Sequence, residues 1–189
     1  MASSCGNEGA IRDPAPPPSP AGALSLEDAQ WEGRWKFEYA LVKLDGIEPS
    51  ETNFTVGSRI GRIWDVRPGC SEGPCNSEIT ATDPDEPDVP STRSVVTYDS
   101  GSFKITQTFP PEPQHSCTSQ SGRVIPGAFE ATNAVEVKPT KFQESGGKAL
   151  VTELVAVKTT TFRPSGRAVG AGGTCVTKMA VWEGRVTPA

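Results

Sequence analysis

Apolar and polar residues alternate with a period of two along much of this chain. The pattern is clearest at 34–41, where Trp35, Phe37, Tyr39 and Leu41 fall on one face and Arg34, Lys36 and Glu38 on the other. A strand sends successive side chains to opposite sides, so this spacing predicts a strand with one buried face. Segments 58–67, 77–82, 92–98, 103–109, 127–138, 149–162 and 174–187 are likewise rich in β-branched and aromatic residues and bounded by Gly, Pro, Asp or Ser. Together they predict about eight strands. Asp99-Ser100-Gly101-Ser102 and Ser145-Gly146-Gly147-Lys148 read as tight hairpin turns, which make their flanking strands antiparallel. Helical signal is confined to one turn, with Ser25 as N-cap and Asp28 three residues on.

The expected fold class is therefore all-β: antiparallel strands in a small closed or nearly closed barrel, with a β-sandwich as the alternative. Trp-Glu-Gly-Arg occurs at 31–34, opening the first strand, and again at 182–185 in the last. Pairing the first strand with the last removes both open edges, which favours the barrel.

Ahead of the strands, residues 6–23 contain five prolines and almost no large apolar side chain. Such a segment cannot repay its ordering entropy, so residues 1–23 are expected to form a disordered Pro-rich tether and residues 24–189 the barrel domain. The chain has five cysteines, one of which must stand apart from any set of pairs. Cys5, after Ala2-Ser3-Ser4 and before the tether, has the position of the lipidated first residue of a bacterial lipoprotein. This expectation places a signal sequence upstream of Cys5 in the precursor, with Met1 as an added start. Attachment to the outer face of the cell membrane would then be through lipid alone, because no apolar stretch approaches the roughly 20 residues a spanning helix needs.

Cys70 and Cys75 flank a Gly- and Pro-containing turn and form the natural local disulfide. Cys117 and Cys175 are then the expected second pair, closing a loop of about 59 residues, which is the preferred one of the three pairings that four cysteines allow. Two disulfides belong to an oxidising compartment. A zinc site is disfavoured, because the cysteine spacing is not repeated and His115 is the sole histidine.

Other constellations narrow the chemistry further. The net charge of −5, with no basic run, argues against nucleic acid as a partner. His115 lies in a Pro-rich loop beside Cys117 and reads as a surface histidine. Asp83, Asp85, Glu86 and Asp88 form an acidic connection whose spacing departs from a calcium loop. The glycine-rich stretch 166–174 precedes a strand rather than a helix, which fits a flexible loop and not a phosphate cradle. No catalytic set and no cofactor motif emerges, so the chain is read as non-catalytic. An enzyme would require two carboxylates with strongly displaced pKa values in one cleft.

What remains is the interior. An eight-stranded barrel has room either for its own side chains or for one small ligand. If it is hollow, Trp35, Phe37, Tyr39 and Trp64 are the candidate lining, with Arg62 alternating onto the face of Trp64 and available for a cation–π contact. The functional expectation is an extracytoplasmic, lipid-anchored binding protein holding a small apolar or lipid-like ligand. The alternative is a protein-interaction or envelope-scaffolding module with a filled core and an unknown protein partner, and cavity volume separates the two.

The lipobox-like Cys5, the Pro-rich tether and an all-β domain carrying Trp64-Asp65-Val66-Arg67-Pro68-Gly69-Cys70 through Cys75 resemble the surface lipoproteins of high-GC actinobacteria. Gly33-Arg34-Trp35 on the first strand is similar to the G-x-W signature of lipocalins. That resemblance implies that Trp35 closes one barrel end and that an arginine from the last strand, here Arg185, packs across it.

Overall fold

The structure is a computed structural model and describes residues 23–48, 51–85, 91–113, 115–119, 121–170 and 175–189. Among them eight strands close into an antiparallel barrel: β1 (Gly33–Asp45), β2 (Arg59–Pro68), β3 (Ser77–Thr82), β4 (Thr92–Asp99), β5 (Ser102–Phe109), β8 (Phe129–Ser145), β9 (Lys148–Pro164) and β10 (Lys178–Pro188). Two short strands, β6 (Cys117–Thr118) and β7 (Val124–Ile125), make a separate ribbon. The order around the wall is β1, β10, β9, β8, β5, β4, β3, β2, so the first and last strands are neighbours. Their pairing runs from Trp35 opposite Pro188 to Asp45 opposite Met179. The barrel expectation holds, and the sandwich is set aside.

Gly184 sits in that seam, where an added Cβ would lie 2.7 Å from the Glu38 carbonyl oxygen and 2.9 Å from the Tyr39 ring. The two copies of Trp-Glu-Gly-Arg do not face one another, because Trp31 precedes β1 and Trp182 pairs with Leu41. Both expected hairpins are present. Ser100 and Gly101 (φ 50° and 82°) join β4 to β5, and Gly146 and Gly147 (φ 58° and 80°) join β8 to β9, the left-handed geometry that suits the twist of a two-residue turn.

Strand lengths differ from expectation where the period breaks. Between Leu41 and Lys43 the register shifts, so Val42 and Lys43 both face outward before Leu44 turns in again, and β1 continues to Asp45. A bulge interrupts the alternation without ending the pairing. The same happens around Pro139 and Lys141, and β8 runs on to Ser145. The glycine-rich stretch also differs: Gly166–Gly170 forms a short helix, α1. Its Ala168 is buried with Ile125, Ala128 and Phe129, and the Ser165 hydroxyl donates to the Gly127 carbonyl at 2.9 Å. These contacts offset the poor helix propensity of glycine.

One end of the barrel is stopped by the segment that leads into it. A single 3₁₀ turn at Leu26–Asp28 is held by the Asp28 carboxylate, which accepts from the Ser25 backbone N–H (2.9 Å) and hydroxyl (2.6 Å). Gln30 then bridges to the β8–β9 hairpin: its N–H donates to Ala149 O at 2.8 Å, and Val151 N–H donates to Gln30 O at 3.0 Å. Its side-chain amide reaches the Cys70 carbonyl at 3.0 Å. Trp31 enters the barrel end and meets Phe103 at 4.9 Å, Trp64 at 6.1 Å, and Trp35 and Phe37 at 6.4 Å between ring centroids.

Disulfides join Cys70 to Cys75 and Cys117 to Cys175, with Cα separations of 6.2 and 5.9 Å. They mark an oxidising, extracytoplasmic environment. No helix among the described residues is long and apolar enough to cross a membrane. The tether expectation and Cys5 lie outside the described residues.

Truncating the plug, Trp31→Ala, should cost about 3–5 kcal/mol in urea unfolding, the range for emptying a buried aromatic site. Trp31→Phe should cost much less, since the Trp31 indole N–H has no hydrogen-bond partner to lose. Replacing Cys117 and Cys175 together by Ser should cost about 4 kcal/mol, and the same change at Cys70 and Cys75 about 2 kcal/mol, because the longer loop loses more closure entropy in the denatured chain. Equal losses would contradict that ordering.

Candidate functional site

Inward-facing positions are filled very unequally along the barrel axis. Towards the plugged end they carry Trp35, Phe37, Tyr39, Trp64 and Phe103, all buried in one cluster with Trp31. Towards the other end β8 and β9 turn in Asn133 opposite Thr160, Ala131 opposite Phe162 and Val135 opposite Lys158, while β10 contributes Ala180 and Trp182. Small side chains at Ala131, Asn133, Thr160 and Ala180 cannot reach across the lumen. The result is a cavity of about 640 Å³, within the usual size of small-molecule sites.

Leu41, Ile60, Phe129, Phe162 and Trp182 supply apolar wall, and Phe54, on the connection between β1 and β2, stands edge-on to Trp182 at 5.2 Å. A smaller hollow of about 390 Å³ shares Glu51, Ser116, Phe129 and Lys178 with it and is lined further by Cys117 and Cys175. The long disulfide therefore ties together two segments at the open end.

Three cations line the cavity: Arg62, Lys158 and Lys178. The Arg62 guanidinium donates to the Asp83 carboxylate and to the Gly61 carbonyl (2.7 Å). Lys178 is paired with Glu51 and lies 5.1 Å from the centre of the Phe129 ring. Burial opposes ionisation of Glu51, but hydrogen bonds from Lys178 and from the Glu48 N–H outweigh it and leave the carboxyl below its usual range. Lys158 is different. It faces the lumen half-buried, beside Trp182 on β10 and Val135 on β8, and no carboxylate among the described residues pairs with it. Burial, reinforced by the Arg62 charge, holds its ammonium below the usual lysine value. Burial also pushes the Tyr39 phenol well above its usual range, with Arg62 acting in the opposite direction, and the hydroxyl has no partner.

The structure divides the expected site residues. Arg62 lines the cavity, but its guanidinium is held by Asp83 and not over Trp64. Trp35, Phe37, Tyr39 and Trp64 face inward as expected, yet they belong to the packed end and are not among the residues that line the cavity. The correction has a simple cause: large rings on adjacent strands fill the lumen with one another, Phe37 and Trp64 lying 3.8 Å apart between centroids. Arg185 is exposed, opposite Glu38 on the outer face, and does not pack across Trp35, whose indole N–H donates to Glu32 O at 2.7 Å. His115 is not a free surface residue. It lines the cavity with its ring 5.3 Å from Phe162, and its Nδ1 is buried without a partner.

Lys158, Asn133 and Thr160 were missed by the sequence reading. Their signal was present in the alternation Leu154, Ala156, Lys158, Thr160, Phe162, a face that places a cation where a packed core would need an apolar side chain.

The fold and site thus define an eight-stranded antiparallel barrel, plugged at one end and hollow at the other. No family model matches the chain, and no curated protein or solved structure matches it.

Because burial lowers the folded-state pKa of Lys158 below its unfolded value of 10.5, the unfolded chain binds more protons between the folded-state pKa and 10.5, and stability rises with pH across this window. Lys158→Met should therefore raise the urea midpoint at neutral pH, and its advantage should shrink as pH climbs towards the ordinary lysine range. The groups facing the cavity beside it are Arg62 with Asp83, Lys178 with Glu51, and His115, all unchanged in the variant. A midpoint unaltered by Lys158→Met at every pH would contradict the burial argument.

Proposed function

We propose that this protein is an extracytoplasmic binding protein, anchored through lipid at Cys5, that holds a small apolar or lipid-like ligand in the open half of its barrel. The observation that carries the reading is the cavity itself. A lumen of about 640 Å³ walled by Leu41, Ile60, Phe129, Phe162 and Trp182 is large for an interior meant to be filled by side chains. The segment that packs on the plugged end, Leu24 to Trp31, leads into the first strand there, and the cavity opens at the other end of the barrel. The resemblance of Gly33-Arg34-Trp35 to the lipocalin signature agrees with a ligand-holding barrel, although the arginine partner it implies is absent from Trp35.

Native mass spectrometry of the protein purified from a bacterial envelope tests this. The expected result is a noncovalent adduct that is lost on denaturation, together with a diacylglyceryl mass on Cys5. Ala180→Trp, which puts a large ring into the lumen, should weaken ligand binding by at least about tenfold while leaving the circular dichroism of the barrel intact. A folded Ala180→Trp variant that retains the adduct, or a native chain that takes up no apolar probe, would overturn the proposal.

A further inference from the structure

The chemistry of the cavity narrows its ligand further, and this step rests on the binding reading above. Two of the three lining cations are neutralised by protein carboxylates: Arg62 by Asp83 and Lys178 by Glu51. Lys158 has none among the described residues, and Lys158 points into the lumen beside Trp182 and Val135. A half-buried ammonium with apolar neighbours and no counter-charge is costly unless something brings a negative charge to it.

Asn133 lies diagonally across the β8–β9 pair on the same inner face. Its Oδ1 accepts from the Thr160 hydroxyl at 2.7 Å, which fixes the amide and leaves its Nδ2 hydrogens with no acceptor among the described residues. The cavity therefore holds a cation and an oriented N–H donor, neither with a protein partner among the described residues, beside an apolar stretch of wall formed by Leu41, Ile60, Phe129, Phe162 and Trp182.

We propose that the ligand is an apolar carboxylic acid, with its tail against Leu41, Ile60, Phe129, Phe162 and Trp182 and its carboxylate on Lys158 Nζ and the Asn133 amide. A carboxylate answers both needs at once, because its oxygens accept charge-assisted hydrogen bonds from the ammonium and from the amide. A neutral apolar ligand would fill the lumen and leave Lys158 more deeply buried and still unpaired. A cationic ligand would meet like charge from Lys158.

Isothermal titration of the full chain with dodecanoate and with dodecanol, which share an apolar tail and differ in the head, separates these cases. Dodecanoate should bind the native protein about tenfold or more tightly than dodecanol. Lys158→Met should remove that preference, by weakening dodecanoate and relieving the burial penalty on dodecanol, and Lys158→Arg, which keeps the charge, should retain most of it. Equal affinity of the native protein for the two probes would overturn the proposal without any variant, and so would a preference that survives Lys158→Met. If neither probe binds, the binding function itself fails; if both bind equally, that function stands and only the carboxylate is lost.

Discussion

Pairing of β1 with β10 is the contact on which the rest of the molecule depends. A sheet of eight antiparallel strands has two edges of unpaired N–H and C=O groups, and the barrel removes both by joining its first and last strands over the length of β10. Once closed, every inward side chain shares one lumen of limited width. Gly184 shows how tight the seam is, since even a methyl group there would meet the Glu38 carbonyl. Closure also brings Leu41 beside Trp182 and carries Lys178 and Ala180 to the same end as Leu44, so the open half of the barrel is built from both ends of the chain.

The lumen is then divided by side-chain volume. Aromatic rings on β1, β2 and β5, with Trp31 inserted from outside the barrel, fill one half completely. In the other half, alanine, asparagine and threonine occupy equivalent inward positions on β8, β9 and β10, and space remains. The packed half supplies the apolar burial that drives folding. The hollow half holds a lysine with no carboxylate partner among the described residues, a fixed amide and an unpartnered histidine nitrogen, while the packed half buries the unpartnered Trp31 indole N–H and Tyr39 hydroxyl. Stability and binding are segregated along one axis, so a ligand can contact unsatisfied groups without disturbing the aromatic cluster that holds the fold.

Much of the fold was legible from local pattern, and the reasons are specific. Trp35, Phe37, Tyr39 and Leu41 announce β1 because period two is the geometry of a strand; Ser100-Gly101 and Gly146-Gly147 announce their hairpins because few residues tolerate positive φ. The limits of β1 and β8 were hidden by bulges, which shift the period without stopping the ladder. The helix at Gly166–Gly170 was hidden because it depends on the burial of Ala168, a distant contact with no local signature. The candidate site was less legible. Alternation identifies which residues face inward, and Arg62 does line the cavity, although its guanidinium goes to Asp83. The pattern says nothing of how far along the axis a residue lies, so the largest rings were taken for cavity lining when they are the packing that excludes a cavity.

By itself, the sequence determined the all-β class, the antiparallel turns, the local Cys70–Cys75 pair and the direction in which most strand residues face, because all of these follow from backbone geometry and short-range spacing. Only the tertiary structure decided which inward faces meet across the lumen. Whether a lysine in a strand is neutralised, and whether facing side chains touch or leave a void, depends on partners tens of residues away. Arg62 found Asp83 and Lys178 found Glu51, while Lys158 found none among the described residues. That asymmetry arises from the register of a closed barrel, which is set by the whole ring of strands at once.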